Sequence, residues 1–424
     1  MPEGKSALNV WIFHPYGGPP GVGRFERQIN LARATQSGSV KNTVFFASWH
    51  HINGQAVEET SRDERGVNYI PIPCRQYTGN GVGRILNMLD FDLGVRSYFR
   101  EECAEGKTGA PDVIVASSPH PFVYTAAAFV RKKTNARVVL EVRDLWPESL
   151  TAFAGVGSLH PVVVLFRWMM KMAYRGADAV VSVLPGSKKY LQENGCQKVV
   201  LEVPNGISVS EVDRRLALSL DVAHKDAISP LKASGKILIG YCGAMGPPNS
   251  LGQLVDLQHY VASNGLKVNY HFLLIGEGNY KEELQNCRRQ FDDPIFTILP
   301  SLPKPEVPSW LNQMDAGVVF WEDRPLYRHG VSPNKVWEYF AVSIPVLWVG
   351  NTRYDPVKES GGGFSLLPND PEALHRQLET MIEEKSNFPA LGGRGRKYAE
   401  KKADWAILGQ QYLSLYADLQ GQGE

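Results

Sequence analysis

Short apolar runs, rich in β-branched residues, alternate along the first half of the chain with stretches of helical spacing. The runs are LNVWIFH, NTVFFAS, PDVIVAS, ARVVLEVRD, ADAVVSVL and KVVLEV. Nearly continuous apolarity is typical of strands that are buried on both faces of a parallel sheet. The stretches with helical spacing are GRFERQINLARA, RILNMLDFDLGVRSYFREE, PFVYTAAAFVRKK and VVVLFRWMMKMAYR. The alternation predicts right-handed βαβ units and a doubly wound fold.

A second series of the same kind follows a polar, turn-rich segment without a clear strand, where we place a linker near residues 204–235. Its strand-like runs are KILIGYCG, VNYHFLLIGEG, PIFTILP, AGVVFW, IPVLWVG and GGFSLLP. The tail is predicted to form one or two helices with an apolar stripe that contains Trp405, Leu408, Tyr412 and Leu415. The predicted fold class is α/β, with two Rossmann-like domains. Their boundaries are residues 1–204 and 205–400, and a C-terminal helix occupies residues 401–424.

Two doubly wound domains that face each other would place the carboxyl ends of both sheets at a central cleft. Ligands of open α/β sheets bind at such strand ends. The chemistry of the chain is therefore sought in the residues that directly follow the predicted strands.

Composition narrows the function classes. A chain of 424 residues with 43% hydrophobic and 21% charged residues is globular and long enough for two domains. The net charge of +1 gives no electrostatic case for nucleic acid. The five cysteines form no Cys-x-x-Cys pair, and the adjacent histidines His50 and His51 would point apart on a strand, so we expect reduced thiols and no metal site. We find no signal peptide and no apolar run of the ~20 residues that a membrane span needs, which predicts a cytoplasmic protein.

A glycine-rich turn follows the first predicted strand in HPYGGPPGVGRFERQ, with a helix expected from Gly23 or Arg24. Such a turn, with Gly18 at its centre, lets backbone amides approach phosphate or sugar hydroxyls. The spacing is neither the dinucleotide-binding fingerprint nor a Walker loop. The alternative interpretation is a simple proline and glycine turn.

Two more strand ends carry polar residues. His120 stands between two prolines in SSPHPF, where its imidazole could bond a sugar hydroxyl or simply lie in a surface loop. EVRDLWPESL brings Glu141, Arg143, Asp144 and Glu148 together. We weigh two interpretations of this group, an ion-pair network that shapes the cleft and an acceptor site in which Asp144 or Glu148 acts as a hydrogen-bond acceptor or base.

The second domain repeats the pattern of strand, glycine and helix. Gly243 follows the strand in GYCGAMGPPNS, and Gly276 and Glu277 follow the next one in LLIGEGNYKEEL. Lys304 lies between two prolines, a rigid edge that could present backbone groups to a base. Each of these signals is weak alone.

The stretch Ser332, Pro333, Asn334 and Lys335 predicts a helix that begins at Pro333 with Ser332 as its cap. The helix dipole, the free amides and Lys335 would then favour an anion. Glu338 lies one turn on and could accept hydrogen bonds from a ribose diol. The alternative is a capped helix with a surface ion pair.

Taken in order, GVSPNKVWEYFAVSIPVL, EVRDLWPESL, SSPHPF, VPNG and LIGEG resemble family-4 glycosyltransferases of the GT-B fold, in the bacterial polysaccharide branch with a Ser-Pro-Asn-Lys helix. The resemblance covers nearly the whole chain. It implies a retaining transferase that uses a nucleotide diphosphate-sugar as co-substrate and has no tightly bound metal or cofactor. It also implies that the second domain binds the nucleotide, the first binds the acceptor, and the C-terminal helix crosses back to the first.

The resemblance assigns roles residue by residue. Glu338 matches the second acid of the family's Glu-x7-Glu pattern, which binds ribose. The first acid would fall at Gly330 and is missing, so we expect the backbone of Gly330 and Val331 to replace it. His120 matches a histidine that contacts the donor sugar. The base-binding region matches Glu277 and the proline edge at Lys304.

The arginine and lysine that clamp the diphosphate in the wider family are also missing. The corresponding segment, CGAMGPPNS, offers Ala244, Met245 and Asn249 instead. Lys335 is therefore our candidate for the lost charge.

The resulting hypothesis is a retaining glycosyltransferase that uses a UDP-sugar and a glycan or polyprenol-linked acceptor in bacterial surface polysaccharide synthesis. The alternatives are a nucleotide-sugar epimerase or a glycan phosphorylase of the same fold, and a non-catalytic sugar-binding protein. VVVLFRWMMKMAYR carries Arg167, Lys171 and Arg175 and is either a core helix or a membrane-surface helix. The second interpretation would put the protein at the inner face of the cell membrane.

Overall fold

A computed structural model of the protein describes residues 7–22, 26–50, 54–79, 81–103, 109–220 and 222–421, with the side chains of 153 and 154 left aside. The chain divides into two compact units. Unit 1 consists of Met1–Asn205 and Trp405–Glu424, and unit 2 of Gly206–Asp404. Each unit has its own sheet with helices packed on both faces, which confirms the predicted α/β fold class.

Unit 1 contains an eight-stranded sheet with the order β3-β4-β2-β1-β5-β6-β7-β8. All neighbouring strands are parallel except β3 and β4. The bounds are β1 Leu8–Phe13, β2 Val40–Ala47, β3 Ser61–Arg62, β4 Asn68–Ile72, β5 Val113–Ser118, β6 Arg137–Val142, β7 Ala179–Ser182 and β8 Val200–Glu202.

The pattern of apolar runs predicted six of these strands and missed β3 and β4. β4 contains Pro71, which cannot donate a ladder hydrogen bond and so argues against a strand. The proline is tolerated because β3 spans only two residues and leaves most of the outer side of β4 without a partner strand.

The helices of the first part of unit 1 are α1 Arg27–Thr35, α2 Val82–Tyr98, α3 Phe122–Lys133, α4 Glu148–Ala154, α5 Pro161–Gly176 and α6 Lys188–Glu193, with a π-helical turn at Phe99–Cys103. They cover an apolar core on each face of the sheet. In β1, Val10 and Ile12 point into one core and Trp11 and Phe13 into the other, as expected for a strand buried on both sides.

Unit 2 contains a six-stranded, wholly parallel sheet with the order β11-β10-β9-β12-β13-β14. All six strands were predicted. Their bounds are β9 Ile237–Cys242, β10 Tyr270–Ile275, β11 Phe296–Leu299, β12 Ala316–Phe320, β13 Val346–Val349 and β14 Gly363–Leu366.

The helices of unit 2 are α7 Val209–Arg215, α8 Val222–Ala233, α9 Gly252–Ser263, α10 Tyr280–Arg289, α11 Val307–Leu311, α12 Lys335–Ala341, α13 Pro356–Ser360, α14 Pro371–Glu383 and α15 Phe388–Lys402. The linker predicted at residues 204–235 was wrong, because this segment folds into α7 and α8. Val212 and Ile228 anchor the two helices in the core of unit 2.

The C-terminal helix, α16 Trp405–Gly421, returns to unit 1 and packs on α1. Its predicted stripe is buried at Trp405, Leu408 and Tyr412 and partly buried at Leu415. The two helices approach closely at Gly409, where a Cβ atom would lie 2.7 Å from the Cβ of Ala34. Among the described residues, no helix is long and apolar enough to cross a membrane.

Candidate functional site

Two glycine turns lie side by side at the carboxyl edge of the unit 2 sheet. Cys242 pairs with Ile275 in the register of β9 and β10, so Gly243 and Gly276 leave the sheet together. The Gly243 amide donates to the Ile275 carbonyl at 2.9 Å, and a Cβ on Gly276 would lie 1.8 Å from the Gly243 carbonyl oxygen. Gly243 also has φ +141°. Only glycine therefore fits at this double turn.

Lys335 reaches from α12 to this double turn. Its Nζ donates to Asn249 Oδ1 at 2.6 Å and lies 5.0 Å from the centre of the Tyr241 ring. A Cβ on Gly243 would come within 2.6 Å of Lys335 Cε. The lysine proposed from the sequence as the cation for a diphosphate thus lies at the loop that follows β9.

The predicted start of this helix was wrong by two residues. The helix begins at Lys335 and not at Pro333, and Ser332 is not its cap. The first carbonyl that accepts an i+4 hydrogen bond is that of Asn334, from the Glu338 amide at 3.3 Å. Pro333 is half-buried and Asn334 is exposed. Lys335 itself is thereby in the first turn.

Burial lowers the pKa of Lys335 to about 8, although Glu338 and Cys242 act in the opposite direction. The negative groups around Lys335 therefore balance its positive charge only in part. An anionic ligand next to Nζ would supply the missing charge, because opposite charges within a few ångströms favour the ionised lysine.

Glu338 and Lys304 belong to the same electrostatic neighbourhood. Burial and, to a smaller extent, Glu338 raise the pKa of the Cys242 thiol to about 12, while Lys335 and Lys304 act in the opposite direction. All three charged groups therefore act on the residue that ends β9. The half-buried Glu338 is thus placed near the double turn.

Glu277 connects two of the loops. Its Oε1 accepts from Lys281 Nζ at 2.6 Å and from Ser301 Oγ at 3.2 Å, and its side chain is more than half exposed. Ser301 follows β11, and the exposed Lys304 starts the 3-10 turn Lys304–Glu306 that comes next. Glu277 and Lys304 therefore lie on adjacent loops at the same sheet edge.

The position of the missing acid, Gly330, has φ +118° and ends the 3-10 turn Pro325–His329. Val331 is 3% exposed and packs in the core of unit 2, so only its backbone is available to a ligand. The nearest acids upstream, Glu322 and Asp323, follow β12 and are ion-paired with Arg324 and Arg328.

In unit 1, the strand ends hold a group of aromatic and histidine side chains. Tyr16 lies with its ring centre 5.8 Å from that of His50 and 6.2 Å from that of His120. His50 Nε2 is 3.1 Å from the Gly17 carbonyl oxygen, and Arg84 Nη2 donates to the Tyr16 hydroxyl at 3.1 Å. The group joins the loops after β1, β2 and β5.

His120 is fully buried, and within the described chain neither of its ring nitrogens has a hydrogen-bond partner. Burial, with help from Arg84, lowers its pKa to about 3. The imidazole is therefore neutral at pH 7 and carries one donor and one acceptor. A buried ring with both capacities unused is suited to the hydroxyl groups of a sugar.

Arg143 is half-buried and oriented by two partners. Its Nη1 lies 3.0 Å from His14 Nε2 and donates to Gln28 Oε1 at 2.9 Å. Because Arg143 can only donate, His14 Nε2 must accept. This agrees with a His14 pKa well below its ordinary value, which burial causes and Arg143 reinforces.

Glu141 belongs to an ion-pair network, the first of the two interpretations. Its carboxylate is fully buried and bonded to Arg27 Nε and Nη2 at 3.1 and 3.0 Å, to Ser117 Oγ at 2.7 Å and to the hydroxyl of Tyr412. Arg27 Nη1 also donates to the Pro204 carbonyl at 2.6 Å. The network joins β6, α1, the end of β8 and α16.

The other acids of this segment differ in environment. Asp144 keeps an exposed surface, but loss of hydration around its carboxyl raises its pKa, and Arg143 and Arg84 act in the opposite direction. Glu148 begins α4 and accepts a hydrogen bond from Tyr190, while its Oε2 atom is buried without a partner in the described chain. The structure thus gathers Arg143 and Asp144 near Arg84 and places Glu148 beside the buried tyrosines of α5 and α6.

Gly18 is buried in the loop after β1, where a Cβ would lie 3.1 Å from Val22 Cγ1. The predicted helix start at Gly23 or Arg24 falls on residues outside the described ranges, and the helix α1 begins at Arg27 with Glu26 as its N-cap. Within the described ranges, no group of three or more histidine, cysteine, aspartate or glutamate side chains could hold a metal ion.

Sequence reasoning missed several members of these sites. His14 directly follows β1 and His120 follows β5, so a search of the residues after each strand would have found His14 as well. Asn249 was noted only as a replacement for a cation. Arg84 comes from a helix 68 positions away from Tyr16, and no local pattern points to that contact.

Part of the chain matches a known family model. Residues 30–206 match the family model of a glycosyl transferase 4-like domain. The match includes the unit 1 loops that carry His50, His120 and Arg143.

Two bacterial proteins are similar in sequence. The capsular polysaccharide biosynthesis glycosyltransferase CapM of Staphylococcus aureus is 25% identical over 182 residues, which are 42% of this chain and 45% of that protein. The similarity therefore spans less than half of CapM. The probable glycosyltransferase WbjE of Pseudomonas aeruginosa is 24% identical over 72% of both chains.

Solved structures share the fold over almost the whole chain. Sucrose-phosphate synthase from Thermosynechococcus elongatus superimposes with a TM-score of 0.74 at 14% identity, covering 98% of this chain and 100% of that one. HepE from Anabaena, solved in complex with UDP-glucose, gives a TM-score of 0.65 at 12% identity and covers 97% and 100%. The fold is thus the GT-B fold expected from the resemblance.

Proposed function

We propose that the protein is a retaining glycosyltransferase that moves a sugar from a nucleotide diphosphate-sugar, preferably a UDP-sugar, to a glycan or lipid-linked acceptor. The observation that carries the proposal is Lys335, a half-buried cation held against the glycine double turn of unit 2, with Glu338 one turn on. The glycosyl transferase 4-like match and the UDP-glucose complex of HepE support it. CapM supports a role in surface polysaccharide synthesis.

The donor would bind at the carboxyl edge of the unit 2 sheet. The diphosphate would lie against Lys335 and the backbone of Gly243 and Gly276. Glu338 would accept hydrogen bonds from the ribose hydroxyls. The loops of Glu277 and Lys304 would border the base. The backbone of Gly330, Val331, Ser332, Pro333 and Asn334 would approach the phosphates and the donor sugar.

In unit 1, we assign His120 to a hydrogen bond with a sugar hydroxyl, since its neutral ring has both nitrogens unused. The exposed Asp144 and the oriented Arg143 would recognise the acceptor, together with Glu148, and the Gly18 turn would approach a substrate through its backbone. The low pKa of His120 argues against a role as a protonated general acid at neutral pH.

The reaction would proceed on one face of the sugar. The bond from the anomeric carbon to the β-phosphate oxygen breaks, the bond to the acceptor oxygen forms, and the acceptor proton passes to the departing phosphate. Negative charge grows on the leaving diphosphate. A fixed cation stabilises that charge more in the transition state than in the bound donor, and Lys335 would do this work.

A ligand screen followed by a transfer assay tests the proposal. We expect UDP and UDP-sugars to raise the unfolding temperature more than GDP or dTDP compounds, since a ligand that binds only the folded state stabilises it. Product analysis should show transfer with the anomeric configuration of the donor. Conversion of the sugar without any acceptor would favour an epimerase, and binding without turnover would favour a sugar-binding protein. Cleavage of a glycan by inorganic phosphate would favour a phosphorylase.

Glu338→Gln should weaken the binding of UDP roughly tenfold or more, because hydrogen bonds to a charged acceptor contribute more than those to a neutral amide. Isothermal calorimetry with UDP and 2′-deoxy-UDP measures the effect. The native protein should prefer UDP, and the variant should lose most of that preference.

Glu372→Gln, which changes an exposed acid of α14, serves as the control and should bind both nucleotides normally. Equal UDP affinity in Glu338→Gln and the native protein would refute the ribose assignment.

A further inference from the structure

The helix α5 has an apolar face that the rest of unit 1 leaves exposed. Leu165, Trp168 and Met172 are 46%, 60% and 46% exposed, and Val164 is 48% exposed. Leu159, just before the helix, is 88% exposed. These side chains recur at helical spacing on one side, opposite the buried residues Val163, Phe166, Met170, Ala173 and Tyr174. The helix is thus apolar on both faces, although only one of them belongs to a core.

The charged side chains of α5 itself are all positive, and Asp178, two residues past the helix, is ion-paired with Arg131 and Arg137. Between Pro161 and Gly176 the helix contains Arg167, Lys171 and Arg175 and no acid. Arg131 of α3 donates to the Gly176 carbonyl, which places the basic end of α3 beside the end of α5. Lys132 and Lys133, at that end, are exposed.

We infer that this face of α5 docks on the surface of an anionic lipid membrane, with Leu165, Trp168 and Met172 among the acyl chains and Lys171 and Arg175 at the head groups. A helix with large apolar residues on one side and flanking cations is suited to this interface, where tryptophan is favoured. Each cation near an anionic surface adds attraction. A second copy of the chain is a poorer occupant, because the helix has no acid to meet the cations of its twin.

The buried side of the same helix leads to the unit 1 site. Phe166 lies with its ring centre 5.6 Å from Trp146 and 5.8 Å from Phe122, and Phe122 is 6.0 Å from His120. Tyr174 lies beside Glu148. A membrane at the outer face of α5 would therefore present a lipid-linked acceptor next to the residues assigned to acceptor recognition. This part of the inference rests on the proposed function.

Vesicle flotation tests the docking. The full-length protein should float with vesicles of phosphatidylcholine and phosphatidylglycerol, more weakly with phosphatidylcholine alone, and less at high salt. The double variant Leu165→Ser/Trp168→Ser should bind the anionic vesicles about tenfold or more weakly, since two interfacial apolar side chains are lost. Lys171→Glu/Arg175→Glu should weaken binding by a similar factor.

Matched controls use exposed residues outside the surface. Val199 is 84% exposed in unit 1, and Leu367 is 67% exposed in unit 2. The double variant Val199→Ser/Leu367→Ser and the charge reversal Lys188→Glu/Lys189→Glu should float like the native protein. No flotation with anionic vesicles, or equal losses in the controls, would overturn the inference. Self-association that depends on Trp168 without vesicle binding would also overturn it, in favour of a second copy.

The docking and the transferase activity are measured separately. Leu165→Ser/Trp168→Ser should bind UDP normally and keep its rate with a short water-soluble acceptor, while losing activity on an acceptor embedded in vesicles. A protein that floats but transfers no sugar would disprove the proposed function alone. One that transfers sugar but does not float would disprove the docking alone.

Discussion

Lys335→Ala should lower kcat by a factor on the order of 10²–10³ and leave the fold intact, as expected for the loss of one fixed group that stabilises developing charge. The lysine is the cation held at the glycine double turn, with Nζ 2.6 Å from Asn249 Oδ1. Steady-state kinetics with a saturating UDP-sugar measure kcat. Because the charge on the diphosphate grows as the bond breaks, the loss should be larger in kcat than in the affinity for UDP.

Two further variants separate charge from packing. Lys335→Met keeps most of the side-chain packing along Gly243 and Tyr241 but removes the charge and the hydrogen bond to Asn249, so it should be as slow as Lys335→Ala. Lys232→Ala, on the exposed side of α8, should have native kinetics. A Lys335→Met enzyme with normal kcat would exclude the electrostatic role.

The pH profile gives a check with a defined sign. Burial holds the pKa of Lys335 at about 8, below its ordinary 10.5. The free protein should lose this cation, and with it kcat/KM, as the pH rises through about 8. The free energy of unfolding should instead rise as the pH goes from about 8 to 10.5, because in this range the unfolded state binds more protons at this lysine than the folded state.

The strands and the loops that follow them were predictable because burial on both faces leaves a strong apolar signal. The sequence pattern located all six strands of unit 2 and six of the eight in unit 1, and with them the positions of His120, Gly243, Gly276 and Glu277. β4 escaped because Pro71 contradicts the usual strand pattern. The helices α7 and α8 were not predicted because each has only a few buried residues among many polar ones, so the helical pattern is weak.

The partners of the site residues were not predictable for a different reason. Contacts such as Lys335 with Asn249, or Arg143 with His14, join positions 86 and 129 residues apart. Local spacing carries no information about such pairs. The start of α12 at Lys335 was missed because serine is a common cap residue and proline a common first residue of a helix. The residue types of Ser332 and Pro333 therefore favoured a start two residues too early.

Glu141→Gln should destabilise unit 1 by about 3–5 kcal/mol, the usual effect of leaving one member of a buried ion pair without its partner. Arg27 would keep its hydrogen bonds to the carbonyls of Val203 and Pro204. It would lose the only carboxylate with which it forms an ion pair among the described residues. Tyr412 would lose the charged acceptor that ties α16 to β6. Urea unfolding, followed by hydrogen exchange at amides of unit 1, measures the loss and should show α16 opening first.

The pH dependence of stability should change in the same variant. The Arg27 guanidinium, acting against burial, holds the pKa of Glu141 at about 2, below its ordinary 4.5. A carboxyl with a lowered pKa stabilises the folded state above its unfolded pKa, and this contribution is lost as the pH falls from about 4.5 to about 2. The native protein should therefore lose stability across that window more steeply than Glu141→Gln.

Glu193→Gln serves as the control. It removes an exposed acid whose ion pair with Lys189 is long, at 3.8 Å, and it should change the free energy of unfolding by less than about 0.5 kcal/mol. The double variant Arg27→Met/Glu141→Leu removes both charges and should be less destabilised than Glu141→Gln, since no unpaired ion remains buried. The single variants Arg27→Met and Glu141→Leu complete the comparison. If the double variant lost as much stability as these two combined, Arg27 and Glu141 would contribute independently. The network would then not be what ties α16 to the sheet of unit 1.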